Sequence, residues 1–238
     1  MRKATRLEGY LMRMDRTADP RFPVKGQPDR HFTLAGGRWV EEFGRGLSLT
    51  TEAALERGRV EERPGVLASQ DLKAWGGYTR LRQTFDMAWK PSVAAGLIGL
   101  SGDDPRTPQV EGWDPVFGRF PKWSDLYVYS LVPEAEVAMW SNLRMTELEV
   151  KAQPLKWLGL RAAWYHMGAF QAQSQKGANF GRGTGRGDLA LVRADLTVAP
   201  SWKAHLLYEH LKAGSFYANH DGGHFLRAEV AYTFQKGF

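Results

Sequence analysis

The segment that most constrains this chain is its last one. From His224 to Phe234, Leu226, Ala228, Val230, Tyr232 and Phe234 fall on one face of an extended strand, with Arg227, Glu229 and Thr233 on the other. Successive side chains of a strand point to opposite sides, so one face is apolar and the other charged. An apolar outside around a charged inside is the pattern of a transmembrane β-barrel and differs from that of a soluble sandwich.

The same alternation recurs in about ten segments, near 4–15, 31–42, 47–60, 69–86, 91–102, 139–152, 157–169, 188–198, 202–212 and 223–234. At roughly 10–15 residues they exceed the usual globular strand of about 5–6 and suit a tilted crossing of a bilayer. Their connections alternate. Phe43–Gly46, Asp86–Lys90, Gln153–Lys156 and Ala199–Ser201 are short, whereas 16–30, 61–68, 103–138, 170–187 and 213–222 are longer or more polar. Short periplasmic turns and long external loops are the asymmetry of outer-membrane barrels, which makes 103–138 a long external loop. Three of the short turns combine Pro, Trp and Lys: around Trp89, Trp157 and Trp202. Trp at one level predicts an interfacial girdle, and the competing reading is an ordinary hairpin with Trp packed on the next strand.

Composition permits this fold without proving it. Mean hydropathy is −0.43 and 24% of residues are charged. No stretch approaches the roughly 20 apolar residues of a membrane helix, but a barrel wall gives only alternate residues to lipid. Cysteine is absent, which removes disulfides, thiolate metal sites and cysteine nucleophiles. Met1-Arg2-Lys3 runs directly into mixed-polarity sequence, so no apolar core of a secretory signal is expected in this chain. The net charge of +6 points to an anionic partner.

The alternation places Arg80, Arg82, Arg161, Arg193 and Arg227 on inward faces, interleaved with Glu52, Glu56, Asp195 and Glu229. Facing lipid near the midplane, each Arg would cost roughly 2–4 kcal/mol. Inside, the arginines either pair across strands and fill the wall or line a path that selects anions. Only 139–152 breaks the rule, because Leu143 and Met145 are out of phase with Leu148 and Val150; a bulge near Thr146 would repair it.

The longest connection holds the most specific sequence, Ser101-Gly-Asp-Asp-Pro105 followed by Gly112-Trp-Asp-Pro-Val-Phe-Gly-Arg-Phe-Pro-Lys-Trp123. With the closing strands, it resembles the alginate-export family of bacterial outer-membrane β-barrels over about residues 70–238. The resemblance implies an outer-membrane channel for a polyanionic or other polar substrate, with a positively charged lumen. Family barrels are longer, so the chain is expected to be one barrel domain, 1–238, that is a short form or the C-terminal part of a larger barrel. Asp103, Asp104, Arg119 and Lys122 are the candidate loop contacts.

Other groupings carry less. Gly181-Arg-Gly-Thr-Gly-Arg-Gly187 lacks the strand-to-helix setting of a phosphate loop and reads as a flexible external loop. His205 and His210 lie on opposite faces, so no convergent metal site is expected there, and Asp103, Asp104 and Asp114 read as turn formers before calcium ligands. No nucleophile–base pair is recognisable, and no cofactor or enzymatic activity is expected. The leading expectation is an all-β, antiparallel up-and-down barrel acting as a porin-like channel. Its partners would be an anionic polysaccharide or small polar solute, outer-membrane lipid and periplasmic export components, with no nucleic acid. The alternatives are a non-conducting structural or adhesive barrel and a soluble basic all-β protein binding glycan or nucleic acid.

Overall fold

The computed structural model describes residues 4–17, 29–61, 68–116, 123–128, 141–173 and 178–234. Ten strands appear where alternation places them: β1 (Ala4–Arg16), β2 (Arg30–Gly44), β3 (Leu47–Val60), β4 (Gln70–Thr84), β5 (Ser92–Leu100), β6 (Leu143–Leu155), β7 (Leu158–Gly168), β8 (Gly185–Ala199), β9 (Trp202–Ala213) and β10 (Gly223–Tyr232). One helical turn, α1 (Asp125–Val128), lies between β5 and β6. Every strand pairs antiparallel with its sequence neighbours, giving a single up-and-down sheet in the order β1 to β10. Among the described residues no ladder joins β1 to β10, so the sheet is open at that seam.

Turn chemistry accounts for the tight end. Between β2 and β3, Gly44, Arg45 and Gly46 all have positive φ (90°, 52° and 81°). A Cβ on Gly46 would fall 2.0 Å from the Thr84 carbonyl oxygen, so only glycine fits there. Around these turns Trp89, Trp157 and Trp202 are exposed, as a girdle requires, and the Trp202 ring lies 4.8 Å from Tyr232.

The register sorts the two faces. The convex face carries Leu7, Leu11, Leu55, Leu97, Leu148, Val192, Leu226 and Val230, with Leu11 74% and Leu226 69% exposed. A soluble sandwich would cover these side chains; an exposed apolar face of this extent is consistent with the outer wall of a β-barrel. The concave face is buried in two clusters. Phe32, Leu34, Ala54, Val60, Leu72 and Ala74 form one on β2–β4. Leu143, Met145, Tyr165, Met167, Leu189, Leu207 and Leu211 are the centre of the other, on β6–β9.

The expected bulge near Thr146 does not exist. β5 and β6 pair without interruption from Ser92↔Lys151 to Leu100↔Leu143, and the irregularity in β6 lies at Ala152/Leu155, beside the turn. Leu143 and Met145 face inward with Glu147 and Glu149, while Leu148 and Val150 are exposed on the convex face. The apparent phase change reflects what the concavity contains: near the long loops its lining is apolar, near the short turns charged.

That apolar half is filled by described parts of the chain between β5 and β6, which turn inward at 110–116 and 123–128. Val110 exchanges main-chain hydrogen bonds with Asp71 and Lys73 beyond the end of β5 (2.8 and 2.9 Å). Trp113 packs against both clusters, and Leu126 and Tyr127 are 0% and 2% exposed. The glycine-rich segment is likewise fastened. Gly181 and Gly183 donate main-chain hydrogen bonds to Phe216 and Ser215, and β8 begins at Gly185, so this stretch is not the free loop its composition indicates.

Candidate functional site

Toward the short turns the concave face opens into a cavity of about 940 Å³, whose lining includes Arg80, Glu147, Glu149, Lys151, Arg161 and Arg193. Its centre is Glu149, a side chain only 3% exposed. Arg161 Nε donates to one carboxylate oxygen at 2.7 Å and Arg80 Nη2 to the other at 2.5 Å. Lys151 Nζ and Arg82 Nη2 reach that second oxygen at 3.1 and 3.5 Å. Arg80 also binds Glu147 at 3.0 Å, and Arg161 donates to the Tyr165 hydroxyl at 2.8 Å. Four cations thus meet two carboxylates.

Strand β5 makes this convergence possible. Arg80, Gly96 and Glu147 stand in one cross-strand row, and Arg82, Ala94 and Glu149 in the next. With hydrogen or methyl on the middle strand, both arginines lean across it. A Cβ on Gly96 would already lie 3.0 Å from the Glu147 carboxylate.

The other expected arginines stand apart. Arg193 lines the same cavity and is directly opposite Arg161, held by Asp195 at 2.7 Å. Like charges opposite one another in a sheet repel, so both lean on a carboxylate. Arg227 bonds Glu229 and, at 2.8 Å, Asp125 in the inward-folded chain. Its contact is with the filling rather than with open space.

Carboxylates also hold that filling. Glu209, fully buried on β9, accepts hydrogen bonds from Ser124 Oγ (2.5 Å) and from the main-chain N–H groups of Asp125 (2.9 Å) and Leu126 (3.1 Å). It thereby satisfies free donors at the start of α1. Asp114, 4% exposed, accepts from Arg16 and Arg30 at 3.0 and 3.3 Å, and its own N–H donates to Glu56 at 3.0 Å. The loop is therefore tied at Asp114 to β1, β2 and β3, and at Asp125 to β10.

Asp103 and Asp104 lie at the start of this connection as turn formers. Asp103 accepts from the Glu111 N–H at 2.9 Å. Asp104 accepts from the Arg106 guanidinium and N–H, which together hold its carboxyl down to about 2. Arg119 and Lys122 lie outside the described residues. Glu147, Glu149 and Lys151 were not among the expected site residues, because the break in pattern at Leu143 and Met145 drew attention away from this strand. Their signal was the i, i+2, i+4 spacing opposite Leu148 and Val150.

A family model described as alginate export matches residues 2–230, almost the whole chain. No curated protein matches the sequence.

Proposed function

This chain belongs to the alginate-export family of outer-membrane export channels, and on that premise we propose that residues 1–238 form a channel domain with a basic lumen. Its solute is an anionic polysaccharide, alginate-like in carrying a carboxylate on each sugar, or a smaller polar anion. The observation that carries this reading is the surplus of cations around Glu149, where Arg80, Lys151 and Arg161 line an open cavity and Arg82 reaches the same carboxylate.

Guanidinium forks match carboxylates in geometry as well as charge. A cleft of one sign focuses the field and raises the local anion concentration. Arg80, Arg82 and Arg161 form one station, Arg193 is the next across the β7–β8 pair, and Arg227 marks where the path meets the inward-folded loop. Asp103 and Asp104 shape the loop mouth, and Arg119 and Lys122 are the cationic contacts assigned to it. The convex face contacts outer-membrane lipid, and the short-turn end faces periplasmic export components. No covalent step is involved, in keeping with a family of channels rather than enzymes.

Current through planar bilayers tests the reading. The wild-type protein is expected to prefer anions, and Arg82→Glu with Lys151→Glu to shift the preference severalfold toward cations. A cation-preferring wild type would overturn it. A second reading, a non-conducting structural barrel, is favoured by one observation, the loop packed into the long-loop half of the concavity. Folded, inserted protein that carries no current is its signature.

A further inference from the structure

We propose that the convex face carries, at its long-loop rim, a site for the phosphates of an outer-leaflet glycolipid, formed by Arg13, Arg57 and Lys73. The inference rests on the reading that the strands cross the outer membrane with their long loops outside.

The register supplies the geometry. Arg13, Thr33, Arg57 and Lys73 are successive partners across β1, β2, β3 and β4, forming one row of convex-face side chains. The row spans about 14 Å at the usual strand spacing, and the next same-face row lies about 7 Å along the strands. Toward the membrane centre that next row is Leu11, Ala35, Leu55 and Trp75. Cations and a hydroxyl thus stand directly above an exposed apolar strip, where a headgroup would sit with its acyl chains running down the wall.

The cations are available. Arg57 donates through Nη1 to the carbonyls of Glu56 and Ala74 (2.7 and 3.1 Å), which aims its guanidinium, and reaches no carboxylate within 4.0 Å among the described residues. Arg13 pairs with Asp15 at 3.0 Å and Lys73 with Asp71 at 3.9 Å, both at exposed positions. Exposed pairs of this kind are worth little and exchange readily. Arg59, in the row above, also reaches no carboxylate among the described residues.

The opposite rim differs in kind. Toward the short turns, the convex strand positions among the described residues carry one charge, Glu41, bonded to Thr5 and Trp39. One rim is aromatic and nearly uncharged; the other carries Arg13, Arg57, Arg59 and Lys73 with Asp15 and Asp71 among them, an excess of cations. A wall between two identical leaflets has no use for this difference; a wall whose outer leaflet is rich in phosphate does. Phosphate suits the site because a guanidinium can bind it with two parallel hydrogen bonds and an ammonium adds a point charge.

The test uses the full chain in bilayers of phosphatidylethanolamine doped with a diphosphorylated bacterial glycolipid or with its dephosphorylated form, counting retained lipids by native mass spectrometry. Wild type is expected to retain the diphosphorylated lipid at least about tenfold better than the dephosphorylated one, as three charge contacts at a membrane surface require. Added inorganic phosphate is expected not to displace it, since the lipid is also held by its chains. The R13Q/R57Q/K73Q variant should lose the preference, and R13K/R57K should keep most of it. Heat-dependent electrophoretic mobility checks that each variant is folded. Equal retention of both lipids by wild type, or an unchanged preference in folded R13Q/R57Q/K73Q, would overturn the site. The variant's conductance should match wild type, because none of the three side chains faces the cavity. Loss of current alone counts against the channel and loss of lipid preference alone against this site, so the two readings fail separately.

Discussion

At the scale of single residues, Glu149 organises the charged half of the concavity. It is one acceptor for Arg80, Arg82, Lys151 and Arg161, so Glu149→Gln would leave four cations with Glu147 as their remaining carboxylate. Removing one member of a buried ion cluster is expensive; with the cavity open to water the expected loss is about 1–3 kcal/mol. A fall in the temperature at which the folded electrophoretic form disappears would measure it. Replacing Arg82 alone, at 3.5 Å and more exposed, should change that temperature little. The arginines were legible in the sequence because a charge at a lipid-facing position is prohibitive and alternation assigns the face. Their partners were not, since Glu149 and Lys151 lie in the one strand whose phase the pattern obscures. Glu209 and Asp114 were beyond reach for another reason: their roles depend on chain returning from 84 and 98 residues away.

Among the elements, β6 is the most instructive. Its alternation is intact, but the meaning of "inside" changes halfway along, from a charged cavity to a packed core. An apolar residue there says nothing about lipid. Single cysteines on this cysteine-free chain separate the two cases. At Leu148→Cys a membrane-soluble collision reagent is expected to reach the thiol, and at Met145→Cys to be excluded. Equal access at both sites would restore the bulge at Thr146. Leu148→Arg is expected to cost about 2–4 kcal/mol if that position lies near the midplane. Strands and turns could be read from sequence because period-two patterning and turn chemistry are local. The inward path of the chain between β5 and β6 could not, because a polar, proline-rich stretch looks the same whether it faces solvent or fills a concavity that only distant strands create.

For the whole molecule, the open seam sets the next question. Backbone groups left unpaired in hydrocarbon cost several kcal/mol each, so β1 and β10 must find partners in a membrane. Antiparallel alternation lets them join each other, within one chain or between two. The loop that binds Arg16 on β1 through Asp114 also binds Arg227 on β10 through Asp125, linking the two edges already. Cysteine pairs scanned along Leu7–Leu11 and Leu226–Val230 in bilayer-inserted protein are expected to form a disulfide at one register. Monomer or dimer migration then tells which closure occurs, and no disulfide at any register would show that strands beyond these ten complete the wall.

On the proposed channel reading, the pairing of Arg161 and Arg193 with Glu149 and Asp195 would have a consequence for speed. Each guanidinium already holds a carboxylate, so an arriving sugar acid does not gain a new bond; it trades places with a resident one. Such a swap is close to neutral in free energy, and the resident group reclaims its partner as soon as the polymer moves on. A row of unoccupied arginines would grip a polyanion at many points and hold it fast, whereas a row with its own competitors built in lets the chain advance one residue at a time without a deep well at any step.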